Sequence, residues 1–162
     1  MRRSFFVVLS VLAVLILAAV VTTPQPASVG AMTYDFNNLR NIHALCMMYA
    51  MEHEGDFPSD WNALEAPPGI FLSGRKIKNG GKPGTHEDVH TWTDYVYVRG
   101  LSTSSVPENV LAYVSYSDYE YNQGPAVVYV SGLVEYLTAN EWTDLQRAQQ
   151  LTGSDSWHGS RN

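Results

Sequence analysis

Residues 35–58 read DFNNLRNIHALCMMYAMEHEGDFP, and this stretch determines the fold that we expect for the chain. Its apolar residues recur at spacings of three and four, which places them on one face of a helix. That face comprises Phe36, Leu39, Ile42, Cys46, Tyr49 and Ala50. The opposite face comprises Asn37, Arg40, Asn41 and Glu52. Gly55 and Pro58 then end the helix, because glycine favours a helix stop and proline cannot continue one.

Three methionines, Met47, Met48 and Met51, make the second half of this helix apolar nearly all round. We therefore expect that half to be covered on more than one side. The main apolar face should lie on a sheet formed within residues 93–137, and the methionines should lie under the loop that follows Pro58.

The sheet is predicted from four segments rich in β-branched and aromatic residues, at 93–98, 110–116, 126–130 and 133–137. Ser131-Gly132 joins the last two as a hairpin turn, because glycine adopts the positive φ that such a turn requires. Thr138 and Glu141 then form a capping box at the start of a short helix that Gly153 ends. The apolar face of this helix comprises Trp142, Leu145, Ala148 and Leu151.

The N-terminal segment, residues 1–21, begins with Arg2 and Arg3 and continues as an unbroken apolar run. Its length lies between that of a membrane-spanning helix and that of a signal peptide, so both interpretations stay open. In either case the arginines stay inside and the rest of the chain is exported. Two prolines in the following linker, residues 22–34, disfavour helix and should separate this segment from the helix that begins at Asp35.

Two further segments connect the predicted elements. Residues 60–64 should form a short helical turn, and residues 73–87, rich in glycine, lysine and polar side chains, should form a surface loop. The predicted domain spans residues 35–153, and the polar tail at 154–162 is predicted to be disordered. The fold class is α+β: an N-terminal apolar helix, one long helix packed on a small antiparallel sheet, and a short C-terminal helix.

The chain is acidic, with 16 Asp and Glu against 10 Lys and Arg. No basic patch interleaved with aromatic residues occurs, so we expect no nucleic-acid partner. The single cysteine, Cys46, excludes an intramolecular disulfide. Its place on the apolar helix face predicts a small buried side chain rather than a reactive thiol.

Several segments of the chain together match a known pattern: Asn38-Leu39-Arg40-Asn41-Ile42, Tyr49-Ala50, Gly55, Phe57-Pro58, residues 94–101 and residues 126–137. These segments resemble type IV pilin-like proteins, and in particular the type II secretion pseudopilin-like group with a C-terminal H-x9-D-G segment. The resemblance implies a long helix packed on a small antiparallel sheet. It also implies an inner-membrane location with the domain exported to the periplasm or cell exterior, or secretion if the N-terminus is cleaved. The implied partners are pilin-like or other envelope proteins.

The sequence departs from that group at positions that carry its function. Tyr121 stands at the group's histidine, and Ser131 stands at the aspartate of its Asp-Gly pair. Alignment on Phe5 puts Ser4 at the glycine of the prepilin cleavage motif and Leu9 at its glutamate. We therefore expect a pilin-like domain carried on an ordinary anchor or signal peptide, and not a standard filament subunit.

Residues His86-Glu87-Asp88-Val89-His90 match H-E-x-x-H, a motif that binds zinc when a helix places both histidines on one face. A third ligand would come from Glu108, Glu120 or a more distant residue. The segment follows a glycine-rich stretch and runs directly into a strand, which leaves little room for a buried helix. The alternatives are a zinc hydrolase, a structural or adventitious metal site, and a solvated loop, which we expect.

Other candidate sites have equally ordinary explanations. Asp118, Glu120 and Asn122 offer oxygen atoms of the kind that calcium prefers, but the segment also reads as a polar turn. His53, Glu54 and Asp56 cluster at the end of the long helix. His43 borders the apolar face and should be partly buried and hydrogen-bonded. No Gly-x-Ser-x-Gly motif indicates a catalytic triad.

Tyrosines are concentrated in the strand half: Tyr95, Tyr97, Tyr113, Tyr116, Tyr119, Tyr121, Tyr129 and Tyr136. Such residues suit protein contacts or sugar stacking, although strands favour tyrosine whatever their function.

The sequence thus predicts a non-enzymatic, exported, pseudopilin-like envelope protein that acts in assembly or protein contacts, with no catalytic, cofactor-binding or metal-binding residue. The alternatives are an envelope zinc hydrolase that uses His86, Glu87 and His90, and a secreted binding module with a tyrosine-rich sheet.

Overall fold

The structure is a computed structural model that describes residues 27–85, 87, 89–114 and 123–151. The predicted anchor or signal at 1–21, the disordered tail predicted at 154–162 and the calcium candidates Asp118, Glu120 and Asn122 lie outside the described residues. Among the helices that are described, none has the length and apolar character needed to cross a bilayer.

The long helix, α1, spans Ala27–Glu52 and begins eight positions before the predicted start at Asp35. The predicted linker at 22–34 is therefore wrong from Ala27 onward. Proline is tolerated at the start of a helix, where the backbone N–H groups have no intrahelical partner, so Pro26 can precede a helix without breaking it. At the other end the predicted stop is confirmed: Gly55 has φ +94 and its N–H donates to the Ala50 carbonyl over 2.9 Å.

The described strands form one four-stranded antiparallel sheet in the order β1-β2-β3-β4. They are β1 (Tyr95–Tyr97), β2 (Val110–Val114), β3 (Gln123–Tyr129) and β4 (Val134–Thr138). The predicted hairpin between β3 and β4 is confirmed, and Gly132 has φ +82. Its turn is longer than the predicted two residues Ser131-Gly132, because the Gly132 N–H donates to the Tyr129 carbonyl across Val130 and Ser131. Consecutive strands are neighbours throughout, so the sheet is a simple meander.

Both faces of the sheet are covered, which makes the described domain three layers thick. On one face, Tyr95, Tyr97 and Val128 pack with the apolar side of α1. On the other, Val96 and Val127 pack with the C-terminal helix α4 (Ala139–Ala148). This explains the nearly continuous apolar character of β1 and β2, since strands covered on both faces lose the alternation of apolar and polar residues.

Helix α4 begins with the predicted capping box. The Glu141 N–H donates to the Thr138 hydroxyl over 3.3 Å, and the Thr138 N–H donates to the Glu141 carboxylate over 2.7 Å. Hydrogen bonds from the Thr138 backbone and side chain lower the pKa of Glu141. The Trp142 ring lies 4.7 Å from that of Tyr113, which holds α4 on the sheet. The helix ends at Ala148, and the predicted stop at Gly153 lies outside the described residues.

The prediction of a surface loop at residues 73–87 is wrong for its first part. Residues Gly74–Lys78 form a short helix, α2, and the Ser73 hydroxyl caps it by accepting from the Lys76 N–H. Gly74 lies so close to α1 that an added Cβ would be 2.4 Å from the Ala31 carbonyl oxygen. Glycine has a low helix propensity, so the sequence carries only a weak signal for α2 and none for its close packing on α1.

The remaining short elements precede and follow α2. Trp61–Ala63 forms a 3-10 turn capped by Asp60, which confirms the turn predicted at residues 60–64. Pro68–Phe71 forms a second 3-10 turn, and Val89–Trp92 forms helix α3 directly before β1.

Candidate functional site

The first half of α1 is held by buried polar groups. The Asp35 carboxylate accepts from the Gly74 N–H over 2.9 Å and from the Tyr95 hydroxyl over 2.8 Å. The Asn38 amide donates to the Leu72 carbonyl over 3.0 Å. These contacts tie α1 to α2 and to the sheet, so both polar residues serve the fold. Sequence reasoning missed Asp35, although its position four residues before Leu39 places it on the apolar face.

His43 is half-buried, as predicted, and its Nε2 lies 3.0 Å from the Val130 carbonyl oxygen. Its ring also approaches Gly132, where an added Cβ would lie 2.8 Å from the imidazole. The histidine therefore seats the β3–β4 hairpin turn against α1.

The methionine surface, which we define as Met47, Met48 and Met51, lies on the outer side of α1. The three residues expose 36 %, 63 % and 85 % of their area. The prediction that this half of the helix is covered on more than one side is wrong. The loop after Pro58 turns toward the sheet instead, where the Trp61 ring packs 5.0 Å from that of Tyr97.

Cys46 lies on the opposite, sheet-facing side of α1 and is fully buried, as predicted. Burial raises the pKa of its thiol to about 12. Since the thiolate is the reactive form, this cysteine is chemically inert at neutral pH. The neighbouring Tyr97 side chain is 2 % exposed, and its hydroxyl makes no hydrogen bond of good geometry. Burial, followed by the Cys46 thiol, raises the pKa of Tyr97.

A pocket of 220 Å³ opens between the first 3-10 turn, α3 and the end of β1. Its lining residues are Asp60, Trp61, Asn62, His90, Tyr97 and Arg99. Trp61 and Tyr97 are buried and form its inner wall, whereas Asn62 and Arg99 are exposed and lie toward its mouth. The Asn62 amide donates to the Glu87 carbonyl over 3.2 Å and so connects the 3-10 turn to the segment before α3.

Of the H-E-x-x-H segment, helix α3 contains Val89 and His90. Glu87 precedes this helix, and His86 and Asp88 lie outside the described residues. Val89 is fully buried and His90 lines the pocket. Within the part of the chain that the structure describes, no group of three His, Cys, Asp or Glu side chains could hold a metal ion.

The tyrosine-rich sheet does not present a tyrosine surface within the described part of the chain. Tyr95, Tyr97, Tyr113 and Tyr129 are all buried in the two cores, and Tyr136 is half-buried. Tyr116, Tyr119 and Tyr121 lie outside the described residues. The interpretation of the described strands as a stacking platform is therefore wrong, because α1 and α4 cover both faces of the sheet.

The residues at the end of α1, His53, Glu54 and Asp56, belong to no described group that could hold a metal ion. The His53 ring stacks on that of Tyr49, with centroids 3.6 Å apart, and its Nδ1 lies 2.7 Å from the Tyr49 carbonyl oxygen. Glu54 adopts φ 56 in the chain reversal, and Asp56 pairs with Ser102 in an isolated β-bridge. These residues terminate the helix.

Comparison with protein-family models, with curated proteins and with solved structures gives no match for this chain. The resemblance to pilin-like proteins therefore rests on the sequence segments alone and stays a prediction.

Proposed function

We propose that this chain is a non-enzymatic, exported pilin-like protein of the bacterial envelope, and that it acts through protein contacts made by the methionine surface. The observation that carries the proposal is the exposure of Met48 and Met51 on an otherwise well-packed helix. Exposed apolar groups that adjoin one another mark interaction sites more often than isolated ones do.

The two halves of the outer side of α1 differ in chemistry. Its first half presents Asn37, Arg40 and Asn41, which water solvates well, and a single exposed aromatic residue, Tyr34. Its second half presents Ala44 and the methionine surface. Methionine has an unbranched, flexible and polarisable side chain, so it adapts to the shape of a partner. A protein partner that packs an apolar helix or strand on this half would remove the methionines from water.

The architecture agrees with the pilin-like interpretation at the level of fold class. A long helix precedes an antiparallel meander and packs on it, which is the arrangement that the resemblance implies. The absence of the prepilin motif at Ser4 and Leu9 favours a partner in the envelope over incorporation as a standard filament subunit.

Site-specific photocrosslinking in the native host tests the contact. A photoreactive amino acid is placed at Met48 or Met51 of the full chain, with Asn37 and Asn41 as matched positions on the polar half of the same helix side. We expect one defined envelope protein, identified by mass spectrometry, to crosslink at the methionine positions and not at the asparagines. Equal labelling at all four positions, or no adduct at Met48 and Met51, would contradict the proposal.

Export is tested separately by fractionating the host and sequencing the N-terminus of the mature chain. An intact N-terminus in the membrane fraction is the result expected for an anchor, and a cut that removes the apolar run is the result expected for a signal peptide. Recovery of the full chain from the cytoplasm would refute the exported location.

A further inference from the structure

The pocket beside the first 3-10 turn is lined by a carboxylate and a guanidinium, besides His90, and the two charged groups form no ion pair with each other. Asp60 and Arg99 both line it, and neither has an ion pair with any described residue. Arg99 is exposed and Asp60 is half-buried, so water solvates both charges in the free chain. A guest that brings one charge of each sign exchanges that water for two charge-assisted hydrogen bonds.

The acidic group is already fixed in position. One oxygen of the Asp60 carboxylate, Oδ1, accepts from the Asn62 N–H over 2.8 Å and from the Ala63 N–H over 3.2 Å. The second oxygen, Oδ2, has no hydrogen bond to a described residue. A carboxylate held in this way offers its free oxygen without losing further side-chain freedom, which lowers the entropic cost of binding.

The basic group lies on an extension of the sheet. Arg99 follows β1, where the Val98 N–H still donates to the Leu111 carbonyl over 2.9 Å and continues the ladder. Its planar guanidinium can bind a carboxylate through two parallel hydrogen bonds. The buried rings of Trp61 and Tyr97 line the same pocket and provide an apolar wall.

The volume limits the guest to a small molecule. A pocket of 220 Å³ has the liquid volume of about seven water molecules, and it is smaller than the roughly 300–1,000 Å³ typical of sites for drug-sized ligands.

We propose that this pocket binds a small free α-amino acid, with its ammonium group on Asp60 and its carboxylate on Arg99. The ammonium donates to Asp60 Oδ2, and the Asn62 side-chain oxygen provides a second acceptor. The apolar side chain of the amino acid lies against Trp61 and Tyr97. A neutral sugar would leave both protein charges without a counter-charge, and a simple amine or carboxylate would leave one.

Calorimetric titration of the full chain in detergent micelles tests this assignment. The probes are L-alanine, propionate, propylamine and glucose. We expect L-alanine to bind, and the two single-charge probes to bind about tenfold more weakly or worse, because each forms only one of the two charge-assisted contacts. Glucose should not bind.

Two variants identify the charged partners. Asp60→Asn keeps an oxygen that can cap the 3-10 turn but removes the charge, and Arg99→Gln removes the guanidinium from an exposed position. Each should weaken L-alanine binding by about tenfold or more. Arg147→Gln, which changes an exposed arginine paired with Asp144 on α4, is the control and should bind as the parent chain does.

Three outcomes would overturn the proposal. The first is that folded chain shows no L-alanine binding up to about 10 mM, beyond the millimolar range of weak complexes. The second is that glucose or one single-charge probe binds as tightly as L-alanine. The third is that Asp60→Asn and Arg99→Gln leave the affinity unchanged while far-ultraviolet circular dichroism shows that both variants are folded.

Discussion

The two halves of α1 are held in the domain by different means. Both halves bury apolar side chains on their inner side, among them Leu39 in the first and Cys46 in the second. The first half adds the buried hydrogen bonds of Asp35 and Asn38. The second half adds only the half-buried contact between His43 and the Val130 carbonyl among the described contacts, and its outer side exposes the methionine surface. The first half thus contributes most to fixing the position of α1 in the domain, and the second half has exposed apolar area available for a partner.

Among the substitutions that distinguish the two halves of α1, Asp35→Ala should have the largest effect on the free energy of unfolding. The substitution removes the buried carboxylate that accepts hydrogen bonds from the Gly74 N–H and the Tyr95 hydroxyl. We expect it to lower the free energy of unfolding by about 3 kcal/mol or more. Urea denaturation followed by circular dichroism measures this, with Asn37→Ala on the exposed side of the same half as control. A loss no greater than that of the control would show that Asp35 does not position the helix.

The second prediction concerns the close approach of α1 and α2. In Gly74→Ala the new methyl group would meet the Ala31 backbone, so the two helices must separate. We expect a loss of about 1–3 kcal/mol in the free energy of unfolding. Gly30→Ala is the matched control, because nothing lies within 4 Å of its added Cβ and alanine favours helix. That variant should gain up to about 1 kcal/mol. If thermal denaturation ranks the two substitutions in the opposite order, the contact is not tight.

The third prediction concerns Cys46, on the buried side of the second half of α1, and the dependence of the chain's stability on pH. The folded chain holds the pKa of Cys46 at about 12, above its ordinary value of 9.0, so the thiol form is favoured by folding. This stabilisation is complete below pH 9 and decreases as pH rises from 9 toward 12. Between pH 8 and pH 10 the parent chain should lose about 1 kcal/mol more stability than Cys46→Ala does. Identical pH profiles for the two chains would contradict the burial of this thiol.

The smallest effect is expected on the methionine surface. Met48→Gln replaces an exposed side chain by a polar one of similar length, so the free energy of unfolding should change by no more than about 0.5 kcal/mol. The same substitution should abolish the crosslink formed from Met51 in the envelope. The buried comparison is Ile42→Ala, which should cost about 2–5 kcal/mol. A large destabilisation by Met48→Gln would mean that the methionines are part of the core.

The parts of the fold that local sequence rules govern were predicted well. The spacing from Leu39 to Ala50 identified the buried side of α1, and the hairpin turn at Gly132 and the capping box at Thr138 are present. These features depend on residues close together in the chain. The early start of α1 was missed because Pro26 was taken as a break, although proline is compatible with a helix start.

Features that depend on distant residues were not predictable in the same way. Helix α2 contains Gly74, which weakens its helical signal, and its position depends on Asp35, 39 residues away in the sequence. The methionines make the second half of α1 apolar nearly all round, which predicted a covered helix, and their exposure results from the direction taken by the loop after Pro58. The pocket was missed because Asp60, His90 and Arg99 carry no shared motif and meet only in the folded chain.

The order of elements along the chain has a consequence for biosynthesis. Helix α1 is made first, and its apolar side packs on strands that begin only at Tyr95 and end at Thr138. At roughly 5–20 residues per second, the ribosome needs several seconds to supply that sheet after Glu52 has been added. During this interval Leu39, Ile42 and Cys46 have no strands to cover them. Until the meander is complete, the apolar side of α1 that the sheet later covers is open to contacts with other chains, so aggregation competes with folding during synthesis.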